Sequence, residues 1–144
     1  MTYWKTVFYG CLLMGLLALT LSGCETTSSE LGTGACSGYS SGPGYTINVC
    51  VSKTILPQGG SAIVTAYVKD AQGNPVNDSS RGVTFASEWG GTFSTASSIS
   101  LGNCTVTYTA PGAGSTTQPS TVVDRITASY QGAVAWVSVE VYKP

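Results

Sequence analysis

Acid–base and nucleophilic chemistry draw on a short list of side chains, and the most versatile of them is missing: the 144 residues contain no histidine. Ser-His-Asp and Cys-His arrangements are therefore absent, as is any zinc or copper site that depends on imidazole. Carboxylates are the next candidates, because two of them converging on one cleft can hydrolyse a glycoside. The acids here are Glu25, Glu30, Asp70, Asp78, Glu88, Asp124 and Glu140, spread over separate stretches of the chain. That scatter points to a protein with no catalytic residues, no cofactor and no metal centre. Asp70, Asn74, Asn77 and Asp78 place four oxygen donors in one loop and raise the question of calcium. Their spacing is not that of an EF-hand, and turn chemistry explains them more simply: Asp and Asn bond their own backbone while Gly73 supplies a positive φ. Glu88 beside Trp89 has the makings of a sugar platform; the plainer reading is a loop tryptophan folded over one end of a domain.

Thiols are the other reactive groups, and the sequence places one of them in a distinctive setting. Met1 to Lys5 carries one positive charge, and Val7 to Leu21 follows as an apolar run of 15 residues. This has the layout of a signal peptide, short for a spanning helix, which needs about 20 apolar residues. Leu21, Ser22, Gly23 and Cys24 close it, and they resemble the bacterial lipoprotein box. In that box small residues fit the signal peptidase and the cysteine thiol receives a diacylglycerol. The resemblance implies a leader over residues 1–23 and a mature chain that begins at a lipidated Cys24. More than one acyl chain anchors stably, each buried methylene contributing about 0.8 kcal/mol. Lipoproteins with aspartate after the cysteine tend to stay in the inner membrane; Glu25 holds that position here, which favours the outer membrane and leaves periplasmic or exterior display undecided.

From Glu25 to Gly44 the chain has five Gly, five Ser and three Thr, with no apolar periodicity. Residues 24–44 therefore read as a flexible tether with a random-coil reach of about 25 Å. The formal net charge of −1 offers no basic footprint for phosphates, so nucleic acid is not an expected partner.

Past Gly44 the pattern changes to short runs with period two, separated by Gly, Pro, Asn and Asp. Ile47, Val49 and Val51 share one face, as do Val64, Ala66 and Val68. Val83-Thr84-Phe85 and Gly91-Thr92-Phe93-Ser94 are shorter segments. Cys104, Val106 and Tyr108 form another inward set, and Ile126, Ala128 and Tyr130 another. Ala135, Val137, Val139 and Val141 complete it after the turn Tyr130-Gln131-Gly132. Only 9% of residues are charged, and no helix has a convincing start. The fold class is all-β, a two-sheet sandwich of about seven strands over residues 45–144.

Within this domain, Ser61 to Val76, Gly82-Val83-Thr84-Phe85, Gly91-Thr92-Phe93-Ser94, Val106 to Pro111 and Asp124 to Gly132 resemble bacterial immunoglobulin-like domains of the invasin and intimin type. The resemblance covers nearly all of the folded part and implies an immunoglobulin-like sandwich at the cell surface, serving as spacer or adhesive tip. A single such domain on a lipid anchor departs from the usual string of beads.

Cys36, Cys50 and Cys104 remain after lipidation, and an exported chain should oxidise two of them. Cys104 has inward parity and Cys50 outward parity, so bridging those two would need a bulge. Cys36 with Cys50 is favoured, with Cys104 as the alternative partner. Trp136 and Tyr142 lie on the face opposite Val137 and Val139, where an aromatic patch would mark a partner surface unless the tether covers it. The expected function is a lipid-anchored, non-catalytic structural or protein-interaction module that docks another envelope or surface protein; the oligomeric state is unspecified. An adhesin-like or carbohydrate-binding module using Trp89 is the alternative.

Overall fold

The computed structural model describes residues 33–96, 98–112 and 120–144. They form ten strands: β1 (Ala35–Cys36), β2 (Ser40–Gly42), β3 (Tyr45–Val51), β4 (Ile55–Pro57), β5 (Ser61–Asp70), β6 (Thr84–Ser87), β7 (Thr92–Phe93), β8 (Asn103–Thr109), β9 (Thr121–Tyr130) and β10 (Ala133–Tyr142). One sheet runs β1-β3-β5-β8-β7, with β2 also on β3; the other runs β4-β10-β9-β6. The chain crosses from the first sheet to the second between β3 and β4, and β4 pairs with β10 in parallel. All other pairings are antiparallel. With β3 and β4 taken as one split first strand, this is the seven-strand immunoglobulin order, extended by β1 and β2.

Period-two sequence becomes a two-faced strand because successive side chains point to opposite sides of the pleat. The strands β5, β8, β9 and β10 alternate buried and exposed residues almost without interruption. The inner faces of the two sheets meet around Val49, Val64, Val106, Ile126 and Val139, with Tyr108 the largest fully buried side chain. The inward sets expected from periodicity are the ones that pack. A two-residue turn joins β9 to β10, with Gln131 at φ 47° and Gly132 at φ 86°. Positive φ at both positions gives the turn the twist that lets a hairpin continue without splaying.

The tether is where expectation and structure part. Residues 35–42, read as part of a flexible leash through Gly44, form β1 and β2 on the outer edge of β3. Hydrogen bonds hold them there: the Ser37 N–H donates to the Val49 carbonyl (2.8 Å), and the Val49 N–H donates to the Ser37 side-chain Oγ (3.0 Å). The Asn48 side chain donates to the Ser37 carbonyl and is itself buried beneath the segment. The Gly and Ser content that looks like a leash is what permits this close packing. A Cβ at Gly42 would lie 2.4 Å from the backbone nitrogen of Ala133, so the residue must be glycine for β2 to rest on β10. The leader, the lipobox and Cys24 lie outside the described residues.

Candidate functional site

The fully buried charged side chain of the sandwich is Asp124, on β9. It carries the inward parity of Ile126, Ala128 and Tyr130, and it is fully buried. Four donors converge on its carboxylate: Ser87 Oγ (2.6 Å) and the Tyr108 hydroxyl (2.5 Å) on one oxygen, the Glu88 and Trp89 backbone N–H groups (3.0 and 3.1 Å) on the other. Ser87 Oγ in turn accepts the Gly91 N–H (2.7 Å). Burial, with the adjoining carboxylate, pushes the Tyr108 hydroxyl far above its ordinary pKa, so it stays a donor. The cluster therefore spends its oxygen atoms on holding residues 87–91 against the end of β9. Gly91 completes the fit, since a Cβ there would come within 2.3 Å of the Tyr108 ring. Parity alone marks Asp124 as inward, and that signal was there to be taken from the alternation along β9.

This buried latch presents Trp89 on a short connection between the sheets, with 45% of its surface exposed. On the outer face of the second sheet Trp136 is 52% exposed and Tyr142 39%. The Arg125 guanidinium lies 4.7 Å from the centre of the Trp136 ring, and Arg125 Nε is 4.0 Å from the Glu88 carboxylate. One face of the Trp136 ring is thus taken by a cation, while the Arg125–Glu88 pair is exposed and adds little stability. Glu88, the neighbour of Trp89 in the chain, thus meets Trp136 through Arg125.

Beside Trp136 runs an open strand edge. β4 pairs with β10 only at Glu140, Val141 and Tyr142. The Glu140 N–H donates to the Thr54 carbonyl (2.7 Å) and the Gln58 N–H donates to the Tyr142 carbonyl (2.9 Å). Those two bonds set the parity of the ladder: backbone groups of even-numbered residues on β10 face away from β9. Continued along the strand, the same parity aims the N–H and C=O groups of Val134, Trp136 and Ser138 at an edge to which no described strand is hydrogen-bonded, although β2 packs against its start at Ala133. A shallow groove of about 400 Å³ follows this edge, walled by Val134 and Trp136 on one side and by Ser37, Gly38 and Ser40 on the other. The segment expected to cover Trp136 thus forms the far wall of a groove next to it.

The loop considered for calcium uses its carboxylates locally. Asp70 Oδ1 accepts the Gln72 and Asn74 N–H groups. Asp78 Oδ1 accepts from the Ser80 hydroxyl and from the Ser80 and Arg81 N–H groups, and its Oδ2 accepts the Tyr130 hydroxyl (2.9 Å). These donors hold the Asp78 carboxyl down at about 2. Among the described residues no three His, Cys, Asp or Glu side chains are grouped to hold a metal ion. The disulfide joins Cys36 to Cys50, directly opposite each other across β1 and β3, while Cys104 is a buried thiol in the core. The bridge pins the N-terminal segment, which forms the groove's far wall, to β3.

No family model matches the chain, and no curated protein matches it. Among solved structures it is similar to domains 4 and 5 of the S-layer protein SbsC, with 19% identity and a TM-score of 0.38, over 70% of this chain and 65% of that one. A likeness of that size assigns neither a family nor an activity.

Proposed function

We propose that this is a lipid-anchored envelope protein whose immunoglobulin-like sandwich is a non-catalytic interaction module, docking another envelope protein along the free part of β10. The lipobox residues Leu21 to Cys24 and Glu25 support outer-membrane anchoring, and the invasin-like stretches support a cell-surface role. The observation that carries the docking reading is the open edge at Val134, Trp136 and Ser138. Three residues with outward backbone groups offer about six hydrogen bonds to an added strand, and the groove gives that strand's side chains somewhere to lie. Exposed Val134 and Trp136 supply apolar contact on the outer face.

Affinity capture from detergent-solubilised envelopes, with the tagged lipidated protein, tests this. Ser138→Pro removes one edge-facing N–H without touching the β9 ladder, because proline is tolerated where the N–H looks outward. A specific protein partner kept by the parent and by Trp89→Ala, and lost by Ser138→Pro and Trp136→Ala, is the expected result. Binding untouched by both changes on β10 would sink the docking reading. Retention of a glycan in place of a protein, abolished by Trp89→Ala, would put the carbohydrate-binding module in its place.

A further inference from the structure

The open edge of β10 is short, and both of its ends are closed. At one end Thr54 lies beside Val139, its carbonyl accepting the Glu140 N–H (2.7 Å) just before β4 begins. At the other, β2 rests on Ala133, where a Cβ at Gly42 would lie 2.4 Å from the backbone nitrogen. A window of five residues, Val134 to Ser138, is left between them. Its length decides what kind of strand fits. A second copy offering its own β10 satisfies Val134, Trp136 and Ser138 together when the two strands align antiparallel about Trp136. The copy's Ala133 then falls opposite Val139, on the place that Thr54 already holds, and brings β2 with it. The edge strand of another sheet carries a neighbour about 4.8 Å further out, toward the wall that Ser37, Gly38 and Ser40 raise across the groove. A segment with no strands of its own meets neither obstacle.

The lining sets the occupant's side chains. In antiparallel pairing, the more stable arrangement, each outward-facing residue of β10 exchanges both of its bonds with one residue of the added strand. Residues bonded to Val134, Trp136 and Ser138 place their side chains on the outer face, beside the Trp136 ring. Those opposite Ala135 and Val137 point inward, into the groove. No charged side chain lines it, and its walls are small: Ser37, Gly38 and Ser40 on one side, Ala135 at the floor. A charge at an inward position would lose its water and find no partner. Resting on the docking reading, we propose that the occupant is a free, uncharged tail of the partner protein, laid antiparallel along Val134 to Ser138 with small aliphatic side chains at its two inward positions. Its backbone supplies the affinity, and the groove rejects bulk and charge. The Cys36–Cys50 bridge keeps the far wall in place for it.

The probe is a dye-labelled, end-capped heptapeptide of alternating threonine and valine, added to the processed, lipidated protein in phosphatidylcholine nanodiscs, with empty nanodiscs as the blank. Fluorescence anisotropy reads binding, and deuterium uptake reads the amides of Val134, Trp136 and Ser138, which should slow when the peptide is bound. N-methylation of the threonines, whose amides face β10, should weaken binding about tenfold, and N-methylation of the valines less than about twofold. Lysine in place of the central valine should also cost about tenfold. A Cβ at Gly38 meets nothing within 4 Å, so Gly38→Leu should keep the fold, checked by thermal unfolding, while taking up space in the groove that Gly38 lines. Its expected effect is again a loss of about tenfold. Failure of the parent to bind the peptide, or binding indifferent both to which amides are methylated and to Gly38→Leu, overturns the tail as occupant. If a partner captured from envelopes is nonetheless lost by Ser138→Pro, the docking reading stands without the tail. Capture untouched by Ser138→Pro and Trp136→Ala overturns the docking reading, and the tail with it.

Discussion

Replacing Asp124 by alanine strips the acceptor from four converging donors at once. The Ser87 and Tyr108 hydroxyls can turn toward other acceptors or toward a water in the space left behind. The Glu88 and Trp89 N–H groups are fixed by the backbone and cannot. Each buried donor left without a partner costs about 1–3 kcal/mol, so Asp124→Ala should lose about 4 kcal/mol in all. For a domain of this size that lowers Tm by roughly 15 °C. Asp124→Asn keeps an oxygen for the two N–H groups and should cost about 2 kcal/mol, as should Tyr108→Phe, which deletes one bond to a carboxylate. Equilibrium urea unfolding reads these values, with an unchanged slope showing that the same two states are compared. The double variant Asp124→Ala with Tyr108→Phe should cost less than the two single changes combined, because both remove the same bond. Hydrogen exchange at the Glu88 and Trp89 amides should quicken with the loss of their acceptor. The reasoning fails if Asp124→Ala costs under about 1 kcal/mol, or if the double variant is strictly additive.

Three further outcomes test the rest of the structure. Opening the Cys36–Cys50 bridge, as the Cys36→Ser and Cys50→Ser pair, should lower stability by about 3 kcal/mol in thermal unfolding, with Cys104 reacting with thiol reagents only after denaturation. Gly42→Ala should destabilise by about 2 kcal/mol, since its Cβ meets the Ala133 backbone; a neutral result would mean that β2 does not rest on β10. The Tyr130–Asp78 bond should fail at both extremes of pH. Asp78 is held at about 2 against an ordinary 3.8, so its contribution is present above pH 4 and lost as pH falls toward 2. Burial and the Asp78 carboxylate push Tyr130 up to about 12 from 10.0, so its contribution is present below pH 10 and lost as pH rises toward 12. Thermal unfolding across pH should show both shoulders, and Tyr130→Phe should shrink the alkaline one, leaving the part that buried Tyr108 contributes.

The sequence by itself determined the long strands and their inner faces, though not β1, β2 or β4. Burying one face of a strand demands period two, and Val64-Ala66-Val68 and Val137-Val139-Val141 obey it whatever lies around them. Gln131-Gly132 fixed a hairpin because a turn's dihedrals are a local matter. The absence of histidine was equally plain, and so was the outward parity of Trp136 and Tyr142. Tertiary structure decided the rest. Composition around Gly34 to Gly44 describes a leash, and only the backbones of β3 and β10 lying alongside turn those small residues into two strands. Asp124 is one acid among seven until Ser87, Tyr108 and two amides from distant stretches close on it. The free edge of β10 exists because the chain crosses between sheets before Ile55, leaving most of β10 without a hydrogen-bonded strand on that side. Periodicity reports which way a side chain points, a local property of the backbone. It holds no information on which strand lies next to which, and both the latch and the edge are made there.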